Sequence, residues 1–178
     1  IMDGGLGPRE LGVFVAPAGV GKTWGLVNVG VNAIQKGLTV IHYTMELNQA
    51  YVGLRYDARL TGLPAQDLKY NKEVVIEEVG KLPGELIIKY FPTKTASITT
   101  INSHLERCIL QDKKPDLIIV DYADLLRGSF LGGELRHELG NIYEDLRGMA
   151  GESEIPVWTA SQANRSALEE DIIEAQKI

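Results

Sequence analysis

Apolar residues in this chain gather in short runs separated by stretches with helical spacing. Leu11–Ala16 and residues 39–43, 85–90, 117–120 and 156–161 are the strand candidates. Leu117-Ile118-Ile119-Val120 has no polar alternation, the mark of a strand buried on both faces. Between the runs, residues 23–36 are apolar on nearly every side (Trp24, Leu26, Val27, Val29, Val31, Ile34) and stop at Gly37. That pattern fits a helix wedged against a sheet. Residues 48–60 and 73–82 predict two further helices, the second closed by Pro83-Gly84. Ser97 can cap a helix with Ile98, Ile101, Leu105, Cys108 and Ile109 on one face. Over residues 134–150, Leu135, Leu139, Ile142, Leu146 and Met149 recur at steps of 4, 3, 4 and 3, an amphipathic helix. Strands alternating with helices predict an α/β fold: a three-layer sandwich around a mostly parallel sheet, in one domain over residues 1–178.

Composition narrows the class without naming the chemistry. The 178 residues are 44% apolar and 24% charged, ordinary for a soluble globular protein. No run approaches the roughly 18 apolar residues that cross a bilayer, and residues 1–9 are Gly-rich rather than a basic segment followed by an apolar one. A cytoplasmic protein without membrane attachment is expected. Cys108 is the one cysteine, so no internal disulfide is available. The net charge of −6 argues against a surface coated for nucleic acid, while leaving room for a local basic loop or a pore shared by several subunits. Ile1 in place of Met, and no obvious closing element after the fifth strand, suggest a piece of a longer protein.

The chemistry lies at strand ends. Ala16-Pro17-Ala18-Gly19-Val20-Gly21-Lys22-Thr23 follows a strand and opens a helix, the setting a P-loop requires. Gly19 and Gly21 let backbone N–H groups turn inward toward phosphate oxygens. The helix N-terminus adds free donors and the positive end of its dipole. Lys22 supplies a point charge for the β- and γ-phosphates of ATP, and the Thr23 hydroxyl a ligand for Mg²⁺. Ala16 stands where glycine is commoner, a small departure that the looser motif accepts.

Asp121 ends the fourth strand, at the sheet edge where open α/β folds bind ligands, and can hold a water of the Mg²⁺ shell. Glu46 follows the second strand and should reach the same edge. There it could deprotonate the water attacking the γ-phosphate, or simply serve the dipole of the following helix. Gln162, after the fifth strand, can donate to the γ-phosphate or the attacking water, or be an ordinary polar loop residue.

Together these strand ends resemble the RecA-like ATPase core, and within it the hexameric replicative DNA helicases of the DnaB type. The resemblance is carried by 16–23, Thr44-Met45-Glu46-Leu47, Ile118-Ile119-Val120-Asp121-Tyr122 and Ser161-Gln162-Ala163-Asn164-Arg165. Tyr90-Phe91-Pro92-Thr93 and Val157-Trp158-Thr159-Ala160 look more like the T-even phage branch than the bacterial one. The resemblance implies a strand order of 3-2-4-5-1, Glu46 as catalytic base, Lys22 and Thr23 on phosphates and metal, and Asp121 at the metal. It implies that Gln162 couples nucleotide state to DNA-binding loops. It also implies a homo-oligomer, a hexameric ring, hydrolysing ATP at subunit interfaces with an arginine finger from a neighbour. No segment here matches the hairpin that carries the finger.

Two loops are candidates for single-stranded DNA: residues 127–137, with Arg127 and Arg136, and residues 163–178, with Arg165. Acidic Glu169-Glu170-Asp171 in the second tempers that expectation. Cys108, Trp24 and Trp158 are expected in the core, and neither His42 nor His104 has a metal-ligand arrangement. Two other functions share the P-loop: a RecA- or KaiC-like ATPase that assembles without unwinding, and a small-molecule kinase. The kinase would lack an Arg-rich lid and leave Glu46 and Gln162 without a role.

Overall fold

Every strand pairing in the sheet is parallel, and the order is β1-β5-β4-β2-β3. Read from the β3 edge this is 3-2-4-5-1, the expected order. The computed structural model describes residues 5–128 and 135–163, the side chains of 135 and 136 excepted. Its elements are β1 (Leu11–Ala16), α1 (Lys22–Gln35), β2 (Val40–Thr44), α2 (Gln49–Thr61), α3 (Lys72–Gly80), β3 (Leu86–Tyr90), α4 (Ile98–Leu110), β4 (Leu117–Asp121), α5 (Leu135–Ser153) and β5 (Val157–Gln162). Two 3₁₀ turns, Leu68–Tyr70 and Ala123–Leu125, have no counterpart in the hydrophobic pattern.

The central strands β2 and β4 are buried at every position, as an apolar run without alternation requires. Their side chains divide between two cores. Ile41, Tyr43, Ile118 and Val120 face one way, against Ile101, Leu105 and Cys108 of α4 and Ile142, Leu146 and Met149 of α5. Val40 and Ile119 face the other way, against Leu26, Val27, Val31 and Ile34 of α1 and Val52 and Tyr56 of α2. The result is three layers, helix–sheet–helix, with Cys108 in the core as expected.

Helix ends follow local chemistry. The Asn48 side chain accepts from the Tyr51 amide and starts α2, and Gly62, with φ 72°, ends it in the left-handed region. Ser97 and Thr100 form a reciprocal capping box at the start of α4. Helix α5 runs to Ser153, past the expected 150, because Gly151 does not break it. The chain leaves the helix at Glu154, which takes a φ of 60° just ahead of Pro156.

Register sets up the functional edge. Ala16 pairs with Gln162, and Thr44 with Asp121. Four of the strand-end segments singled out in the sequence therefore finish level, at the C-terminal edge of the sheet.

Candidate functional site

The loop after β1 turns on two glycines in the left-handed region, Gly19 with φ 81° and Gly21 with φ 98°, where a side chain would be strained. Gly21 is also the N-cap of α1 and offers no side chain to the first amides of the helix. Those donors are left for an anion. The Lys22 ammonium donates to the carbonyls of Ala16 at 3.0 Å and Pro17 at 3.1 Å, and stands 5.5 Å from the centre of the Tyr122 ring. Val20 is 57% exposed at the tip of the loop, a spacer rather than a contact.

The next residue joins the loop to the sheet. The Thr23 hydroxyl donates to Oδ1 of Asp121 at 3.2 Å, and Asp121 is almost fully buried. The segment after β2 is tied down on both sides: the Met45 amide donates to the Asp121 carbonyl, and the Thr93 hydroxyl to the Met45 carbonyl. Glu46 projects from this segment into solvent and lines the cleft. Because Asn48 caps α2, that cap does not need the Glu46 carboxylate.

At the end of β5, the Gln162 amide donates to Oδ2 of Asp124 at 2.8 Å, and the Ser161 hydroxyl reaches the same carboxylate at 3.3 Å. Tyr143 of α5 donates to it as well. The Tyr122 hydroxyl donates to Oε1 of Gln162 at 3.4 Å. Burial pushes the Tyr122 phenol up, and the charges of Glu46, Asp124 and Asp121 push it further. Three acids thus converge around one aromatic ring.

Lys22, Thr23, Glu46 and Gln162 line a single cleft of about 270 Å³, together with Gly19 and Gly21 of the loop. Its wall holds three residues that sequence reasoning had not put there: Trp24, Arg55 and Tyr122. Trp24 corrects an expectation. It is 40% exposed at the cleft, not in the core, because the first turn of α1 projects past the sheet edge. The Arg55 guanidinium lies 5.5 Å from its ring centre. Arg55 is one residue from buried Tyr56 on α2, so a cation at the margin of an apolar face was the available signal. Asp124 had no signal, since only the 3₁₀ turn carries it to β5. Trp158 stays in place, stacked on Phe14 at 4.7 Å.

Arg127 is exposed and lines a separate depression with Ser97, Thr100 and Arg107. The Arg136 side chain and Arg165 lie outside the described residues. Among the described residues no helix is long and apolar enough to cross a membrane.

A glycine-turned anion cradle ahead of a helix, with acids from two neighbouring strands beside it, defines a P-loop nucleotide-binding domain. The chain belongs to the DnaB-like helicase C terminal domain family, which matches residues 1–172. It is 30% identical to a DnaB-like replicative helicase of Enterobacteria phage T4, over 94% of this chain and 38% of that protein. The chain therefore spans under two fifths of that relative's length. Among solved structures, a DnaB-like replicative helicase studied with primase superposes at a TM-score of 0.80, with 19% identity, over 94% of this chain and 42% of the other. A helicase-type ATPase domain superposes at 0.81, with 17% identity, over 96% and 64%. At those identities the superpositions speak for the fold alone. The family read from the strand ends is the family found.

Trp24 provides a readout of the cleft. Adding ATP should change the tryptophan emission of the protein, and Trp24→Phe should remove most of that change while Trp158→Phe leaves it. A full signal in Trp24→Phe would place the nucleotide elsewhere.

Proposed function

We propose that this chain is the ATP-hydrolysing motor domain of a ring-forming replicative DNA helicase that acts on single-stranded DNA. The observation that carries this reading is the single cleft shared by Lys22, Thr23, Glu46 and Gln162, with Asp121 bonded behind Thr23. The amides of residues 16–23 wrap the polyphosphate. Lys22 exchanges two neutral carbonyl partners for charged phosphate oxygens, which make stronger hydrogen bonds. A hydroxyl beside a buried carboxylate is a hard-oxygen donor set that suits Mg²⁺, so Thr23 and Asp121 are the residues that would hold it. When bound, the ion supplies positive charge to the β- and γ-phosphates. Glu46 takes a proton from the water that attacks the γ-phosphorus as the bond to the bridging oxygen breaks. Gln162, held by Asp124 and touched by Tyr122, is placed to follow the γ-phosphate and pass its presence along β5.

Replicative helicase is the description carried by the T4 relative, and single-stranded DNA and a homo-hexameric ring follow from reading this chain in the same way. Arg127, Arg136 and Arg165 are the proposed DNA contacts, and the cytoplasm the site of action, the host's if the source is viral. A kinase would leave Glu46 and Gln162 idle at the cleft.

An arginine finger supplied in trans accelerates such chemistry by about 10³–10⁵. ATPase of the full-length protein should therefore rise by at least an order of magnitude as protein concentration drives assembly, and rise again with single-stranded DNA. Sizing beside the assay would show the ring. A rate indifferent to DNA, with a metabolite phosphorylated, would move the assignment to the kinase. DNA-stimulated hydrolysis without strand separation would favour the RecA- or KaiC-like reading.

A further inference from the structure

On the α1–α2 side of the sheet, behind Asp121, is a row of buried polar groups that the hydrolysis chemistry leaves unused. His42, at the middle of β2, is fully buried, and its Nδ1 lies 2.9 Å from the Tyr56 hydroxyl on α2. Its Nε2 faces Oδ2 of Asp121 at 3.8 Å. Neither of these two atoms has a hydrogen-bond partner among the described residues. The other carboxylate oxygen, Oδ1, is the one that accepts from Thr23.

This arrangement is costly unless it serves something. His42 pairs in register with Ile119 on one side and Ile88 on the other, positions where an aliphatic side chain would bury without penalty. Two facing buried polar atoms without partners are rare in a folded protein. Tyr56 can reach His42 because residue 30 of α1 is glycine: a Cβ there would lie 2.2 Å from the Tyr56 hydroxyl. Burial, and then the charge of Asp121, push the Tyr56 phenol far up, so it remains an O–H donor. With that donor on Nδ1, the hydrogen of the ring falls on Nε2. The reverse tautomer would turn a lone pair on Nε2 toward a carboxylate.

We propose that His42 is a positioning residue for Asp121: the imidazole, oriented by Tyr56, presents its Nε2–H to Oδ2 and keeps Oδ1 directed at Thr23. A movement of about 1 Å brings the pair to an ordinary N–H···O separation. Groups that orient a carboxylate from behind typically govern metal affinity by about 10- to 100-fold. The role presupposes that Asp121 serves the metal side of the site, as proposed above.

The test measures binding of a fluorescent, non-hydrolysable ATP analogue to the full-length protein, once with Mg²⁺ and once with EDTA. The ratio of the two Kd values isolates the metal-dependent gain. His42→Met fills the space without a donor and should cut that gain about tenfold, with the EDTA value unchanged. His42→Gln returns an amide N–H near the position of Nε2 and should recover most of it. Tyr56→Phe, which removes only the orienting hydroxyl, should lose a smaller part of the same gain, and it decides the matter if His42→Met does not fold. In an Asp121→Asn background, His42→Met should have no further effect. A His42→Met loss of equal size with and without Mg²⁺, or one that persists in full beside Asp121→Asn, would make His42 a packing residue and overturn the proposal. If Asp121→Asn alone left the gain intact, the metal-side reading of Asp121 would fall, and the His42 role with it.

Discussion

Lys22→Ala is expected to abolish nucleotide binding at the concentrations where the parent saturates. The side chain is half-buried and its ammonium donates to two backbone carbonyls of the loop it serves. Those carbonyls can be solvated when it is removed, so the fold should survive and the loss should appear in binding. Removing one member of a hydrogen-bonded charge pair in a desolvated contact costs about 2–5 kcal/mol, or roughly 30- to several thousand-fold in Kd. No other lysine lines the cleft, and Arg55 stands across it beside Trp24 rather than in the loop. Calorimetric titration of ATP into parent and variant reads the effect directly, with a thermal melt as the fold control. An unchanged Kd would remove Lys22 from the phosphate site and the P-loop reading with it.

Glu46→Gln should separate binding from chemistry. The substitution keeps the shape and the hydrogen-bonding reach of the side chain but removes the basic oxygen. Glu46 is exposed and outside the cap of α2, so its replacement leaves the local structure intact. Nucleotide affinity should stay within a few-fold of the parent, while single-turnover hydrolysis falls by about 10²–10⁴, the usual contribution of a positioned base. Equal turnover in the two proteins would leave Glu46 as a cleft-lining acid without a catalytic role. Paired with Lys22→Ala, the two variants divide the site into the part that holds the triphosphate and the part that breaks it.

Residues 16–23 could be read as a phosphate cradle in isolation because each part is local. Glycines at positive φ, a helix start without a side-chain cap and a lysine one residue into the helix lie within eight consecutive positions. Asp121 was legible for a related reason: an apolar run that ends in an acid marks a buried strand and its open end. Trp24 was misplaced because an apolar residue on an apolar helix carries no sign of which turn projects beyond the sheet. Asp124 and His42 escaped because their roles depend on residues 38 and 79 positions away, Gln162 and Asp121.

The amino-acid order alone settled the period of each element, the parallel α/β class and the chemical identity of the strand ends, since all of these follow from local spacing and side-chain type. Only the folded chain could decide that those ends meet. Strand register set Ala16 beside Gln162 and Thr44 beside Asp121, and register is fixed by cores packed on both faces of the sheet. The same packing turned a histidine in mid-strand toward a carboxylate on the neighbouring strand, because closure between α1, α2 and the sheet left that space and no other.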